Sequence, residues 1–254
     1  MSGLFDLTGK VALVTGGANG MGRMIAEGLV AAGAEVIVTS RKADEAEEAA
    51  QALGGRGIAA DVGAPGGADA LARTVTGMDG PLHVVINNAG KTFGAPFGGF
   101  PQKGWPGVMA VNVEAPFMLV QGLAEKLQAS AQPDDPARVI NIGSIAGLRV
   151  EDIPAYSYAA SKAAIHHLSR VLALELADRA ITVNTLVPGY FPTKMTAHIR
   201  ADDAANAALE ARVPMGRLGQ PGDIAGAAVF LASRAAAYVT GSEIVVDGGL
   251  ALGG

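Results

Sequence analysis

Short runs of β-branched and aliphatic residues recur along the chain at Val11–Thr15, Val36–Ser40, Ile58–Asp61, Val84–Asn87, Val139–Ile142, Ile181–Val187 and Ile244–Asp247. Their apolar positions are continuous rather than alternating, the pattern of strands buried on both faces. Between them, residues at helical spacing predict helices over Gly20–Ala32, Lys42–Leu53, Gly67–Thr76, about Lys103–Ala129, Ala155–Ala177 and Pro221–Ala232. Parallel neighbours need such crossovers. The expected fold class is therefore α/β: a single-domain, doubly wound, parallel seven-stranded sheet with helices on both faces. Pro116 falls inside the fourth helix, where it removes a backbone donor at a cost of ~3 kcal/mol unless the helix bends. A bend is expected there. Pro188–Gly219 is longer than an ordinary connector, and its Ala-rich middle, Ala201–Ala211, has helical character. It predicts a substrate lid around residues 189–216. No fixed-period repeat or linker divides residues 1–254.

Composition narrows the partners. Half of the 254 residues are apolar and 17% are charged, and the formal charge of −5 comes without a basic cluster. Neither a nucleic acid nor an anionic membrane surface is an expected partner. With no cysteine, disulfides, thiolate nucleophiles and Cys-based metal sites are excluded, so redox chemistry requires a cofactor. The first residues lack the charged start and apolar run of a signal peptide, and no segment shows ~18 uninterrupted apolar residues. The cytoplasm is the expected location.

The first strand runs into Thr15-Gly16-Gly17-Ala18-Asn19-Gly20-Met21-Gly22, which opens a helix. Free N–H groups and the positive dipole end of a helix receive a pyrophosphate, and glycines let the backbone approach it. An acidic residue that would bind adenosine ribose hydroxyls is missing at the end of the second strand, where Ser40, Arg41 and Lys42 stand instead. Arg41 and Ser40, with charge from Lys42, suit a 2′-phosphate, so NADP(H) is preferred, with NAD(H) as the alternative. Arg41 read as a solvated balance to the acidic Asp44–Glu48 run would remove that preference. Asp61 and Val62 end the third strand, as an adenine contact or as a turn cap. Asn87-Asn88-Ala89-Gly90 closes the fourth at the carboxyl edge, where open α/β sheets bind ligands, and also suits a structural turn.

Tyr158 and Lys162 lie four residues apart on one helical face, where an ammonium favours the phenolate and pulls the tyrosine below ~10 towards a useful acid–base range. Ser144 follows the fifth strand, placed to hold a substrate carbonyl beside Tyr158, or to serve as a plain turn serine. Its surroundings are no Gly-x-Ser-x-Gly elbow, which disfavours hydrolase chemistry. His166-His167 reads as helix packing, and no dense ligand spacing predicts a catalytic metal.

Taken together, these motifs resemble the short-chain dehydrogenase/reductase family and its Rossmann fold across essentially the whole chain. The likeness rests on Thr15–Gly22, Asn87–Gly90, Asn112, Ser144, Tyr158 with Lys162, Pro188-Gly189 with Thr193, and Thr240-Gly241-Ser242 to Asp247-Gly248-Gly249. The resemblance implies that Tyr158 exchanges the proton, Ser144 orients the carbonyl and Lys162 binds the nicotinamide ribose while lowering the tyrosine pKa. Asn112 would support a proton-relay water. It further implies that Pro188, Gly189, Phe191 and Thr193 hold the nicotinamide carboxamide, with Asn88, Ala89 and Gly90 near ribose. Asn19 departs from the basic residue found there in many NADP-preferring relatives. Family members commonly form homotetramers through the Asn112 and Tyr158 helices, a homodimer being the smaller assembly.

The lid sequence resembles those of 3-oxoacyl-thioester reductases and of sugar-acid dehydrogenases alike. Ile145, Leu148, Ile153, Tyr190 and Met195 suggest an apolar entrance, which favours interconversion of a 3-oxoacyl or related ketone with its secondary alcohol. An NAD-dependent sugar-acid or polyol dehydrogenase is the alternative. A cofactor-sensing protein without catalysis would have no need of Ser144, Tyr158 and Lys162 together. A sugar-nucleotide epimerase or dehydratase typically adds a larger carboxyl-terminal domain, whereas only Leu250–Gly254 follow the last strand.

Overall fold

In the computed structural model, residues 3–193 and 203–252 are described. Seven parallel strands form one sheet in the order β3-β2-β1-β4-β5-β6-β7. They are β1 Val11–Val14, β2 Glu35–Ser40, β3 Arg56–Ala59, β4 Val84–Asn87, β5 Ala137–Ile142, β6 Ile181–Pro188 and β7 Glu243–Val246. The main helices are α1 Gly20–Ala31, α2 Ala43–Leu53, α3 Gly67–Thr76, α4 Pro106–Met109, α5 Ala115–Ser130, α6 Tyr156–Glu175, α7 Asp203–Ala211 and α8 Pro221–Ala232.

Alternate side chains of each strand serve different helical layers. Ala12 and Val14 join Ile25 and Leu29 of α1 and Ile224, Ala228 and Leu231 of α8 on one face. Leu13, Val85, Val139 and Val183 meet Leu71 and Val75 of α3, Leu123 and Leu127 of α5 and Leu172 of α6 on the other. Both sets are buried, which accounts for the continuous apolar runs. A side chain at Gly28 would reach Ala225 at 2.5 Å, so α1 and α8 approach closely through that glycine.

Two expectations need correction. The third strand is Arg56–Ala59 rather than Ile58–Asp61, because Asp61 Oδ1 accepts the Gly63 N–H and starts a turn. The fourth helix is interrupted: a π turn over Ala110–Glu114 separates α4 from α5, and Pro116 lies in the first turn of α5. Pro116 has no N–H to give the Asn112 carbonyl four residues earlier, and the wider turn accommodates that loss. The helical character expected of the Ala-rich stretch is found over Asp203–Ala211, while 194–202, including Met195, lies outside the described residues.

Gln102–Ser130 is long and apolar enough by composition to cross a membrane, yet its Leu119, Val120, Leu123 and Leu127 are packed into the sheet.

Candidate active site

The strand order reverses between β1 and β4, and this opens a crevice at the carboxyl edge. The glycine loop lies there. Gly16 and Gly20 have positive φ of 64° and 55°, open to glycine at little cost. A side chain at Gly22 would meet Asn88 Nδ2 and Gly16 O at 2.4 Å. The Asn88 amide instead donates to the Thr15 and Gly16 carbonyls, at 2.8 and 3.2 Å, and braces the loop. Thr15 Oγ1 accepts the Asn88 and Ala89 N–H groups. Met21 and Ala89 pack against the core, Val62 is buried, and a side chain at Gly90 would lie 3.7 Å from Asn112 Oδ1. Asp61 is exposed, with its carboxylate in the turn just described, so the turn role is realised.

Beyond β2, three candidates converge on a residue that sequence reasoning missed. The Glu45 carboxylate accepts from Asn19 Nδ2 at 3.0 Å, Ser40 Oγ at 3.0 Å and Lys42 Nζ at 2.8 Å. The side chain of Asn19 does not cap α1, whose first turn opens towards the crevice. This donor set already holds an anion, so it fits the 2′-phosphate of NADP(H). Arg41 is exposed beside it. The available signal was the Lys42–Glu45 spacing of a helical ion pair.

Ser144 lies just beyond β5. Its Oγ accepts the Ala146 N–H at 3.2 Å, capping a short 3-10 turn, and its own N–H donates to His166 Nε2 at 3.2 Å. Tyr158 and Lys162 lie on α6. Lys162 Nζ, buried, donates to the Ile142 carbonyl at 2.7 Å and stands 5.6 Å from the Tyr158 ring centroid. The expectation of a lowered tyrosine pKa is corrected. Burial pushes the phenol above its ordinary 10.0, only partly offset by a hydrogen bond with the Ser144 hydroxyl. Burial also brings the Lys162 ammonium down to about 8. Desolvation is the leading cause at both groups.

Asn112 sits in the π turn with its side chain fully engaged. Oδ1 accepts the Lys91 N–H at 2.8 Å, while Nδ2 donates to the Lys91 carbonyl and to Ser161 Oγ, each at 2.9 Å. Deeper, Asn87 Nδ2 donates to Asn141 Oδ1, and Asn141 Nδ2 to Ser169 Oγ, linking β4, β5 and α6.

Pro188 ends β6, and Gly189 passes so near β7's end that a side chain would meet Asp247 Cα at 2.8 Å. Phe191 is buried, and Thr193 comes within 4 Å of the position a Gly20 side chain would occupy, so the chain just beyond β6 reaches over the glycine loop. The entrance is not uniformly apolar. Ile145 is buried with Val187 and Leu250, while Leu148 and Ile153 are exposed. The Tyr190 hydroxyl donates to Glu151 Oε2 at 2.6 Å, Arg149 Nε stands 3.3 Å from Glu151 Oε1, and Arg212 lies over the Tyr190 ring.

A family model described as enoyl-(acyl carrier protein) reductase matches residues 16–251. A rhamnolipids biosynthesis 3-oxoacyl-[acyl-carrier-protein] reductase from Pseudomonas aeruginosa is 45% identical over 252 residues, 98% of each chain. A 5-keto-D-gluconate 5-reductase from Escherichia coli is 39% identical over 98% of each chain. Among solved structures, the Pseudomonas aeruginosa RhlG/NADP active-site complex superposes with a TM-score of 0.94 at 44% identity, covering 99% of this chain and 100% of that one.

Proposed function

Since the chain belongs to the short-chain dehydrogenase/reductase family, we propose that it is an NADP(H)-dependent oxidoreductase interconverting a ketone and a secondary alcohol. One observation carries this reading: the Ser144 hydroxyl, the Tyr158 phenol and the buried Lys162 ammonium meet at the carboxyl edge, beside the glycine loop. Bound nicotinamide would exchange the hydride with the substrate carbon. Ser144 holds the carbonyl oxygen, and Tyr158 gives it a proton in reduction or takes one from the alcohol in oxidation. A phenol kept above its ordinary pKa is protonated at neutral pH, the state that reduction needs.

Lys162 holds the nicotinamide ribose, and Pro188, Gly189, Phe191 and Thr193 hold the carboxamide. Gly16, Gly20, Met21 and Gly22 cradle the pyrophosphate through the backbone, with Asn88, Ala89 and Gly90 lining the ribose side. Asn19, Ser40 and Lys42, with Arg41, receive the 2′-phosphate in place of Glu45. Because the Asn112 side chain is engaged, its main-chain carbonyl is the group that would hold a relay water. Residues 1–254 work as one domain closed by the lid, in the cytoplasm, with neither nucleic acid nor membrane as partner. A homotetramer is supported by Val171 and Leu174, exposed on α6 at 51% and 84%.

A 3-oxoacyl or related carbonyl is the preferred substrate, in keeping with the Pseudomonas relative. The Arg149, Glu151, Tyr190 and Arg212 cluster at the entrance favours a second reading, a sugar acid, as in the Escherichia relative. Oxidation of NADPH and NADH at about 340 nm, the reduced nicotinamide absorbance, decides among these with 3-oxoacyl thioesters, β-keto esters and keto-sugar acids. Faster NADPH oxidation with an oxoacyl compound is expected. NADH preference with a keto-sugar acid would overturn the cofactor and substrate choices together.

A further inference from the structure

His166 is buried at 3% exposure one helical turn beyond Lys162, and the mechanism leaves it unused. Its Nε2 accepts the main-chain N–H of Ser144 at 3.2 Å, so that nitrogen carries the lone pair and the proton resides on Nδ1. Nδ1 faces Glu243 Oε2 of β7 at 3.5 Å, and Arg170 of α6 pairs with the same carboxylate. The fit leaves no slack: a side chain at Gly143 would stand 2.2 Å from Nε2 and 2.8 Å from Thr185 Cγ2. The charged groups around the ring are thus Glu243 on β7 and Lys162 and Arg170 on its own helix. The turn that carries Ser144 is held by the Ala146 N–H on its hydroxyl, the Gly147 N–H on its carbonyl and the imidazole on its backbone N–H, the last being the restraint that comes from α6.

We propose that His166 is a positioning residue for carbonyl reduction: the neutral imidazole, oriented by Glu243, fixes the Ser144 backbone so that its hydroxyl meets the substrate oxygen. A protonated ring has a donor at Nε2, which opposes the Ser144 N–H and releases the turn. Burial holds the imidazole below its ordinary pKa against the pull of Glu243, so the neutral form persists at neutral pH. Acid then lowers the reduction rate through Ser144, a limb that Tyr158 does not produce, because reduction uses its protonated form.

The proposal rests on Ser144 as the carbonyl-orienting group. Its test compares His166→Gln, which keeps an acceptor near Nε2 without titrating, with His166→Leu, which removes it. In the reduction direction His166→Leu is expected to lose kcat by about 10²-fold, the scale of a misplaced reacting group, with the cofactor KM unchanged. His166→Gln should restore most of kcat and flatten the acid limb of its pH profile. Leucine activity within about twofold of the parent, or equal losses in both variants with the acid limb intact, overturns the proposal. Histidine ¹⁵N NMR of the unmodified protein adds a readout independent of turnover and of variant folding. An Nδ1–H tautomer for His166 is expected, and an Nε2–H tautomer refutes the assignment. A parent protein that reduces no carbonyl with either nucleotide refutes the oxidoreductase reading instead, while the tautomer still decides the contact.

Discussion

At the level of single residues, burial raises the pKa of Tyr158 and lowers that of Lys162. Tyr158→Phe keeps the ring and removes the proton, so kcat should fall by about 10²-fold or more while NADPH binding, followed by fluorescence titration, stays at the parent value. Lys162→Met removes a buried ammonium whose pKa is brought down to about 8 from 10.5. The unfolded chain binds this proton more readily, so the parent gains stability as pH rises from about 8 towards 10.5. The variant should be inactive yet melt no lower than the parent at neutral pH, with its relative stability declining above about 8 in thermal melts. Glu45→Gln removes a carboxylate from the Asn19, Ser40 and Lys42 cradle. Its KM for NADPH should drop by about threefold, the scale of one exposed ion pair, with the KM for NADH unmoved. The spacing of Tyr158 and Lys162 puts them on one helical face, and the motifs around it in the sequence made that pair legible as a candidate site. Glu45 and His166 were hidden, since their partners come from other elements and no local pattern records that approach.

Among the elements, the interrupted helix carries the clearest consequence. Pro116 signalled a bend in the sequence, but not that the helix would widen into a π turn around Asn112. The signal lies in the proline ring, whereas the form of the relief depends on Lys91 and Ser161 gripping the Asn112 amide. Pro116→Ala supplies the missing N–H and favours an ordinary α turn, engaging the carbonyl assigned to a relay water. The variant should keep or raise its melting temperature while kcat falls about tenfold, a modest part of what proton transfer contributes. The third strand shows the opposite limit: Ile58–Asp61 has a fitting apolar start, yet an aspartate two residues before a glycine stops the ladder at Ala59.

In the molecule as a whole, the sheet and its alternating layers were legible because parallel strands buried on both faces leave continuous apolar runs. The entrance was less so: the sequence offered its apolar residues, but only the packed loops bring Glu151 to Tyr190 and Arg149. The α6 face gives assembly a direct test. Leu174→Glu should convert the proposed tetramer to smaller species in light scattering after gel filtration, with the melting temperature reporting any loss of fold. The place of Glu243 in β7 has another consequence. The side chain that orients His166, and through it Ser144, belongs to the seventh strand, far along the chain from the glycine loop. The Ala146 and Gly147 N–H groups hold the oxygen-binding turn from within, so what the seventh strand adds on docking is the orientation of the imidazole behind it.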